Sequence, residues 1–337
     1  MVSMKDIALR CGVSVATVSK ALSGQSDIGR DTAEKIRRVA EEMGYMTNAA
    51  ARALRTNRTY NIGVLFVDPR NSGLAHEYFS TILDSIRVEA ELRGYDITFI
   101  NRNIGDTPSS YLQHCRYRGV DGVIIASVDF ADPMVVELVE SDIPVVTIDH
   151  MFNGRISIMS DNVAGMENLV RHAVGKGHRK LAFIHGELTA VTENRLTGFH
   201  RTCASLGVEV PQEYVIQSAY HDAQGSYEAA RRLLSLPERP DCIFFPDDFS
   251  YIGGFNAIVE SGLRIPEDIS AVGYDGIHLS EVVSPKLTTW RQNTTSIGRE
   301  ASARLVELIE SPRTALIDRF VVHGELQEGE SVSDLTE

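Results

Sequence analysis

No stretch of this sequence approaches the roughly 18–20 consecutive apolar residues that a membrane-spanning helix needs, so a bilayer is not among the expected partners. Lys5 and Asp6 stand where a secretory leader would carry an apolar run, and a cytoplasmic protein is expected. Cysteine is scarce: Cys11, Cys115, Cys203 and Cys242 are scattered, with no CxxC pair and no Cys/His spacing. That excludes a recognisable zinc module and reads as reduced thiols. Among the ten histidines, His76, His114, His178 and His185 show no metal-binding spacing either. A GxSxG elbow, an HExxH helix and a P-loop are all missing. Asp247 and Asp248 form a carboxylate pair, but neighbours along a chain rarely converge on one bond. No cofactor, metal or enzymatic activity is expected.

What the sequence has is length, a core and an uneven charge. Its 337 residues suggest two or three domains, and 43% hydrophobic residues are enough to bury a sizeable core. The net charge is −13, yet residues 1–60 carry ten Lys/Arg against six Asp/Glu, a net of +4, leaving −17 for the rest. A small basic head on a large acidic body points to a polyanion partner for the head.

The head begins "KDIALRCGVSVATVSKAL", residues 5–22. Residues 5–10 read as a helix with Ile7 and Ala8 facing inward, Gly12 as a tight turn, and Val13 as a plug between helices. Ser14 is an N-cap for a second helix running to about Leu22. A third helix spans about Asp31–Met43 and ends on Gly44-Tyr45. Helix, short turn, helix is the pattern whose second helix enters the DNA major groove. Val15 and Ala16 suit thymine methyls, Thr17 and Ser19 suit phosphates, and Lys20 suits a guanine edge or a phosphate. An ordinary three-helix bundle would share this shape. Next comes "NAAARALRT", where Asn48 caps a helix of about two turns, too short to persist alone. This helix offers Ala51, Arg52, Leu54 and Arg55 to DNA, with Arg58 beyond it. Leu54 is its one large apolar group, suited to a wedge between minor-groove base steps; the plain alternative is a linker with Leu54 packed on its neighbour.

From Ile62 onward, apolar runs such as "NIGVLFV", "GVDGVIIAS", "IPVVTID", "RKLAFIH", "CIFFP" and "ISAVGYD" alternate with amphipathic stretches. Helices are predicted over about 77–93, 163–175, 195–206, 224–235 and 249–261. Such alternation argues for parallel sheets covered on both faces. The pattern restarts around residue 161, giving two α/β lobes with a ligand cleft at the carboxyl ends of the strands.

Those head segments, together with "GY" at 44–45 and the strand "IGVLFV", closely resemble the lactose-repressor/galactose-repressor family of bacterial transcription regulators. "SDNVAGMENLVRHAVGKGHRKLAFIHG", "ENRLTGF", "PEDISAVGYDG" and "LTTWRQNTTSIGREASARLVELI" extend the resemblance over nearly the full length. The resemblance implies an α/β chain: a three-helix helix-turn-helix domain over 1–47, a hinge helix and linker over 48–60, and a two-lobed periplasmic-binding-protein-like body over 61–337, made of two parallel doubly wound sheets. Three crossovers between lobes are implied, with lobe 1 at about 61–160 and 293–320 and lobe 2 at about 161–292 and 321–330. The implied partners are a pseudo-palindromic double-stranded operator, a second copy of the chain and a small sugar-like effector. The polar C-terminal "HGELQEGESVSDLTE" has no heptad pattern, so a tetramerising helix is not expected.

Candidate effector contacts follow. Asp275, after "SAVGY", can accept hydroxyl hydrogen bonds, or alternatively cap a helix. Arg195 supplies matching donors, or else pairs with Glu193 or another surface acid. The resemblance adds Tyr78, Phe79 and Tyr220 as aromatic contacts, though such rings are often core. Ser127 and Asp149 sit at strand ends. Asp247 stands where the family more often has Asn, and the loop "VDPRNSGLAHEYF" is longer than usual. The expected function is a ligand-responsive, sequence-specific DNA-binding regulator, a repressor of carbohydrate-utilisation genes switched by a small sugar-like effector in the inter-lobe cleft. A sugar-binding module without DNA activity and a nucleobase- or nucleoside-responsive regulator are the alternatives.

Overall fold

The computed structural model describes residues 2–22, 27–45, 53, 56, 58–67 and 73–336. They divide into two compact units, Met1–Thr59 and Tyr60–Glu337.

In the first unit, α1 (Met4–Cys11), α2 (Val15–Leu22) and α3 (Arg30–Glu42) pack around Ile7, Val18 and Ile36, all fully buried. Local chemistry sets each boundary. Asp6 accepts from the backbone and hydroxyl of Ser3 at 2.8 and 2.7 Å, opening α1. Gly12 closes it at φ 72°, a left-handed conformation that costs glycine no Cβ clash. Ser14 Oγ accepts from the Thr17 N–H at 3.0 Å and caps α2. At the end of α3, Gly44 takes φ 65° while Tyr45 N–H reaches back to the Ala40 carbonyl at 2.8 Å. The expected hinge helix lies outside the described residues, with Asn48, Ala51, Arg52, Leu54 and Arg55.

The second unit runs β1 (Asn61–Phe66), α4 (Glu77–Leu92), β2 (Asp96–Phe99), a two-residue hairpin β3 (Asn103–Ile104) and β4 (Thr107–Pro108), α5 (Tyr111–Arg118), β5 (Gly122–Ser127), α6 (Pro133–Glu140), β6 (Val145–Ile148) and β7 (Ile156–Ser160). Next come α7 (Asn162–Gly175), β8 (Leu181–His185), α8 (Ala190–Ser205), β9 (Val215–Gln217), α9 (Ala223–Leu234), β10 (Cys242–Phe244), α10 (Tyr251–Glu260), β11 (Ser270–Asp275), α11 (Leu279–Val282) and β12 (Thr288–Arg291). The chain finishes with α12 (Thr294–Glu310), β13 (Arg319–Val322) and β14 (Glu325–Gln327).

Two six-stranded sheets result, ordered β2-β1-β5-β6-β7-β13 and β9-β8-β10-β11-β12-β14. All neighbours are parallel except β12 and β14. Central strands such as Val145–Ile148 and Leu181–His185 are buried at every residue, as a sheet covered on both faces requires. In each sheet the order reverses beside the first strand, β1 or β8, which opens a crevice at the carboxyl ends.

The chain crosses between lobes at 161, at 292–293 and at 323–324. His323 Nδ1 and Asp161 Oδ2, 3.0 Å apart, tie the first crossing to the third. Since β13 pairs with β7 through Val322, the third crossing falls two residues later than the boundary expected at 320/321. The tail beyond 330 also belongs to the second lobe, where Ser331 and Val332 are buried. Helices α5, α6, α11 and α12 and the strands β3, β4, β7, β12, β13 and β14 are additions to the sequence-based assignment, and α8 starts five residues earlier than expected because Thr189 caps it.

Candidate functional site

In the first unit, α2 turns Val15, Ala16 and Lys20 outward, Val15 being 41% exposed, while Thr17 and Ser19 are half-buried. The Thr17 hydroxyl lies 2.8 Å from Ser14 Oγ, so its first duty is to the helix start. Lys20 Nζ pairs with Asp27 at 2.5 Å on the surface. Such an exposed pair contributes little and is readily exchanged for a phosphate.

In the second unit, the strand ends bring together groups far apart in sequence. Arg195, 4% exposed on α8, donates from Nε to Asn162 Oδ1 and from Nη1 to the Pro246 carbonyl, both at 2.8 Å. Its guanidinium lies 3.5 Å from the Tyr274 ring centroid and 5.4 Å from that of Tyr220. Its third nitrogen faces Asp275 Oδ1 at 3.8 Å. This is a buried positioning network, not the surface pairing that Glu193 would have offered.

Asp275 ends β11 at φ 110°, followed by Gly276 at 68°. No helix starts there; the carboxylate instead accepts from Gln292 Nε2 at 2.7 Å. Burial pushes its carboxyl up to about 7, against the pull of Arg195. Across the crevice, Tyr78 Oη stands 3.3 Å from Asp149 Oδ2 and 3.5 Å from Gln292 Oε1. Asp149, at φ 54°, accepts from Ser160 N–H at 2.6 Å, and burial raises its carboxyl too. With His221 at φ 53°, three non-glycine residues at this crevice hold left-handed backbone, the kind of strain that collects at functional sites.

A cavity of about 540 Å³ opens between Tyr78 and Thr81 of the first lobe and Asp275, Gln292 and Asn293. A second, of about 320 Å³, lies against His76, Tyr78, His221, Asp247, Phe249 and Asp275. The His76, His221 and Phe249 rings stack at 4.0 and 3.9 Å, joining the two lobes. Glu77 Oε1 accepts from the His278 N–H at 2.6 Å and makes a second link.

The other expected contacts are placed differently. Phe79 packs on Phe66 at 5.2 Å against the first-lobe core. Ser127 donates to the Val67 carbonyl at 3.3 Å. Tyr220 hydrogen-bonds Thr192 at 2.8 Å. Asp247 is 3% exposed and accepts from Ser250 N–H, Ser250 Oγ and His221 N–H at 2.7–2.8 Å. Asp248 turns the opposite way, to Thr289 Oγ1 at 2.6 Å and Ile277 N–H at 3.0 Å, so the two carboxylates do not converge. Sequence reasoning missed Asn162, Ser160, His221, Phe249, Tyr274 and Gln292. Ser160 ends β7, and Asn162, His221, Phe249 and Gln292 follow a strand by one to five residues, the one signal that marks them.

One arrangement resembles an acid–base–nucleophile relay. His178 Nδ1 meets Asp241 Oδ1 at 3.1 Å, and its Nε2 meets Ser270 Oγ at 3.1 Å. Ser270 is completely buried at the start of β11, at the opposite end from the crevice, and accepts from Ser333 N–H at 3.0 Å. The cluster clamps the C-terminal segment onto the second lobe.

The chain is similar to known proteins over nearly its whole length. Residues 3–48 match the family described as bacterial regulatory proteins, lacI family, and residues 170–332 match the periplasmic binding protein-like domain. The PurR transcriptional repressor of Haemophilus influenzae (strain PittEE) is 30% identical over 313 residues, covering 92% of this chain and 91% of its own. A probable HTH-type transcriptional repressor, ExuR of Bacillus subtilis (strain 168), is 29% identical over 340 residues and all of both chains. Among solved structures, the lac repressor dimer bound to operator and the anti-inducer ONPF is 25% identical with a TM-score of 0.79, over 98% of this chain and 99% of that one. The transcriptional regulator CelR–cellobiose complex is 25% identical with a TM-score of 0.71, over 98% and 100%.

Proposed function

Because the chain belongs to the LacI family of bacterial regulatory proteins, and is thereby a ligand-responsive, DNA-binding transcriptional repressor rather than an enzyme, we propose that its effector is a sugar or sugar derivative held between the lobes. The observation that carries this reading is the meeting of Tyr78 from the first lobe with Arg195, Asp275 and Gln292 around one crevice. A carboxylate, a guanidinium, an amide and a ring offer the mixed donors, acceptors and flat apolar face that a polyol uses. Relatives support it: one solved neighbour is a cellobiose complex. The protein works in the cytoplasm on carbohydrate-utilisation genes, as a homodimer with two recognition helices on a pseudo-palindromic operator. Asp275, Arg195, Tyr78 and Gln292 hold the ligand, while Asp149, Asp247 and Tyr220 shape the crevice around them. Closing the lobes shifts the first lobes of the dimer, which brings the hinge pair together or separates it. An inducer favours the separated state and a corepressor the joined one.

The test is operator affinity of the full chain, by fluorescence anisotropy on a site selected from random DNA, with sugars and nucleobases added in turn. A carbohydrate that changes affinity supports the reading; a nucleobase doing so while every carbohydrate is inert overturns it. On the same assay Lys20→Ala is expected to weaken operator binding by about 1–3 kcal/mol and to relax preference at one half-site position. An equal loss on all sequences, with a salt slope reduced by about one, would make Lys20 a phosphate contact instead. Leu54→Ala is expected to cost on the order of tenfold in operator affinity with effector binding kept; an unchanged operator affinity removes the wedge.

A further inference from the structure

The charge of the crevice narrows the ligand beyond "sugar". Around the two cavities stand Glu77, Asp247, Asp275, Glu281 and Glu325, with Asp149 and Asp248 behind them. Against these seven carboxyls the described residues set two guanidiniums, Arg195 and Arg291. Arg291 is already spent on Glu281 and Gln327, each at 2.5 Å. Arg195 is turned toward Asn162 and the Pro246 carbonyl, with only its far nitrogen toward Asp275. The smaller cavity has Glu77, Asp247 and Asp275 in its wall and no lysine or arginine among the described residues; its other titratable neighbours are His76, His221 and Tyr78.

Burial makes this imbalance matter. Asp275, Asp149 and Asp248 all hold their protons more tightly than a free carboxyl does, chiefly because water is excluded. The Tyr274 hydroxyl, fully buried and without a hydrogen-bond partner among the described residues, lies within electrostatic reach of Asp149, Asp275 and Tyr220. A negatively charged ligand would add to the repulsion. A neutral one would leave it as it is. A ligand carrying an ammonium group would ionise Asp275 and pair with it, three donors against a carboxylate that has acceptor capacity left.

We infer that the effector is an amine-bearing polyol, an amino sugar in chemical class, its ammonium seated between Asp247 and Asp275 in the smaller cavity. This inference rests on the sugar reading of the same crevice. It excludes uronates and sugar phosphates as ligands.

The experiment is thermal unfolding of the full chain at pH 7.5 against matched sets: glucosamine, glucose and glucuronate, then galactosamine, galactose and galacturonate, with guanine as a separate arm. The expected result is a saturable rise with one amine, at about tenfold lower concentration than its neutral counterpart and with no response to the acid. Asp247→Asn and Asp275→Asn should each narrow the gap between amine and neutral sugar. A neutral sugar or uronate that binds as well as its amine overturns the ammonium seat and leaves the sugar reading standing. A panel flat for all sugars overturns the inference as well, and a rise with guanine alone then takes the sugar reading down with it.

Discussion

Gly253→Ala is expected to lower the stability of the second lobe by on the order of 3 kcal/mol or more. A Cβ at Gly253 would lie 1.7 Å from the Ala223 carbonyl oxygen and 2.9 Å from the Tyr227 backbone nitrogen. Both are backbone atoms of the neighbouring helix α9, so no side chain can swing aside. The helices must separate along their whole contact, and α9 and α10 together cover one face of β8 and β10, where Ile184, Leu233, Ile243 and Ile258 are fully buried. Gly175→Ala provides the control. It sits on the exposed end of α7 with nothing within 4 Å of the added methyl, and replacing a helical glycine there is expected to stabilise by up to about 1 kcal/mol. Urea midpoints of the two variants, read by circular dichroism, check the pair. Equal midpoints would mean that α9 and α10 are not in such close contact.

Asp275→Asn is expected to stabilise the ligand-free protein at pH 8 while weakening its response to effector. The folded carboxyl titrates at about 7 and the unfolded one at 3.8. Between those values the folded state holds a proton that the unfolded state has released. The parent's stability therefore falls as pH rises from about 4 to 7, and the whole penalty is present above 7. Asparagine stays in the neutral form and still accepts from Gln292. The variant should gain on the order of 2–4 kcal/mol over the parent at pH 8 and nothing at pH 4. Urea titrations of both proteins at pH 5 and pH 8 test this. A constant difference between them, or a variant less stable at pH 8, would mean that Asp275 is not strained by burial. The trade of stability for recognition is what a binding carboxylate held out of water is expected to show.

Much of this architecture was legible because the signals are local. Ser14 caps α2, Gly12 and Gly44 take the left-handed turns their positions suggested, and the apolar runs became strands buried on both faces. Asp149 and Asp275 were visible as polar residues ending such runs. Two short helices were not: "YLQHCRYR" in α5 mixes polar and apolar residues with little facial contrast, and α6 is only eight residues long. The adjacent Gly253 and Gly254 are a signal in hindsight. Two glycines inside a helix cost backbone entropy, and here the reason is contact on two sides, with the α9 backbone and with the Phe245 ring.

The sequence by itself determined the kinds of element, their order, the DNA-reading head and the residues that end the strands, because period, caps and turns act within a few residues. Tertiary structure decided which partner each end would meet. Arg195 is oriented by Asn162 and Pro246, 33 and 51 residues away, and Tyr78 approaches Gln292 across 214 residues. Those distances close only when three crossings bring the carboxyl ends of two sheets face to face, and burial there, rather than residue type, gives Asp275 its raised affinity for a proton.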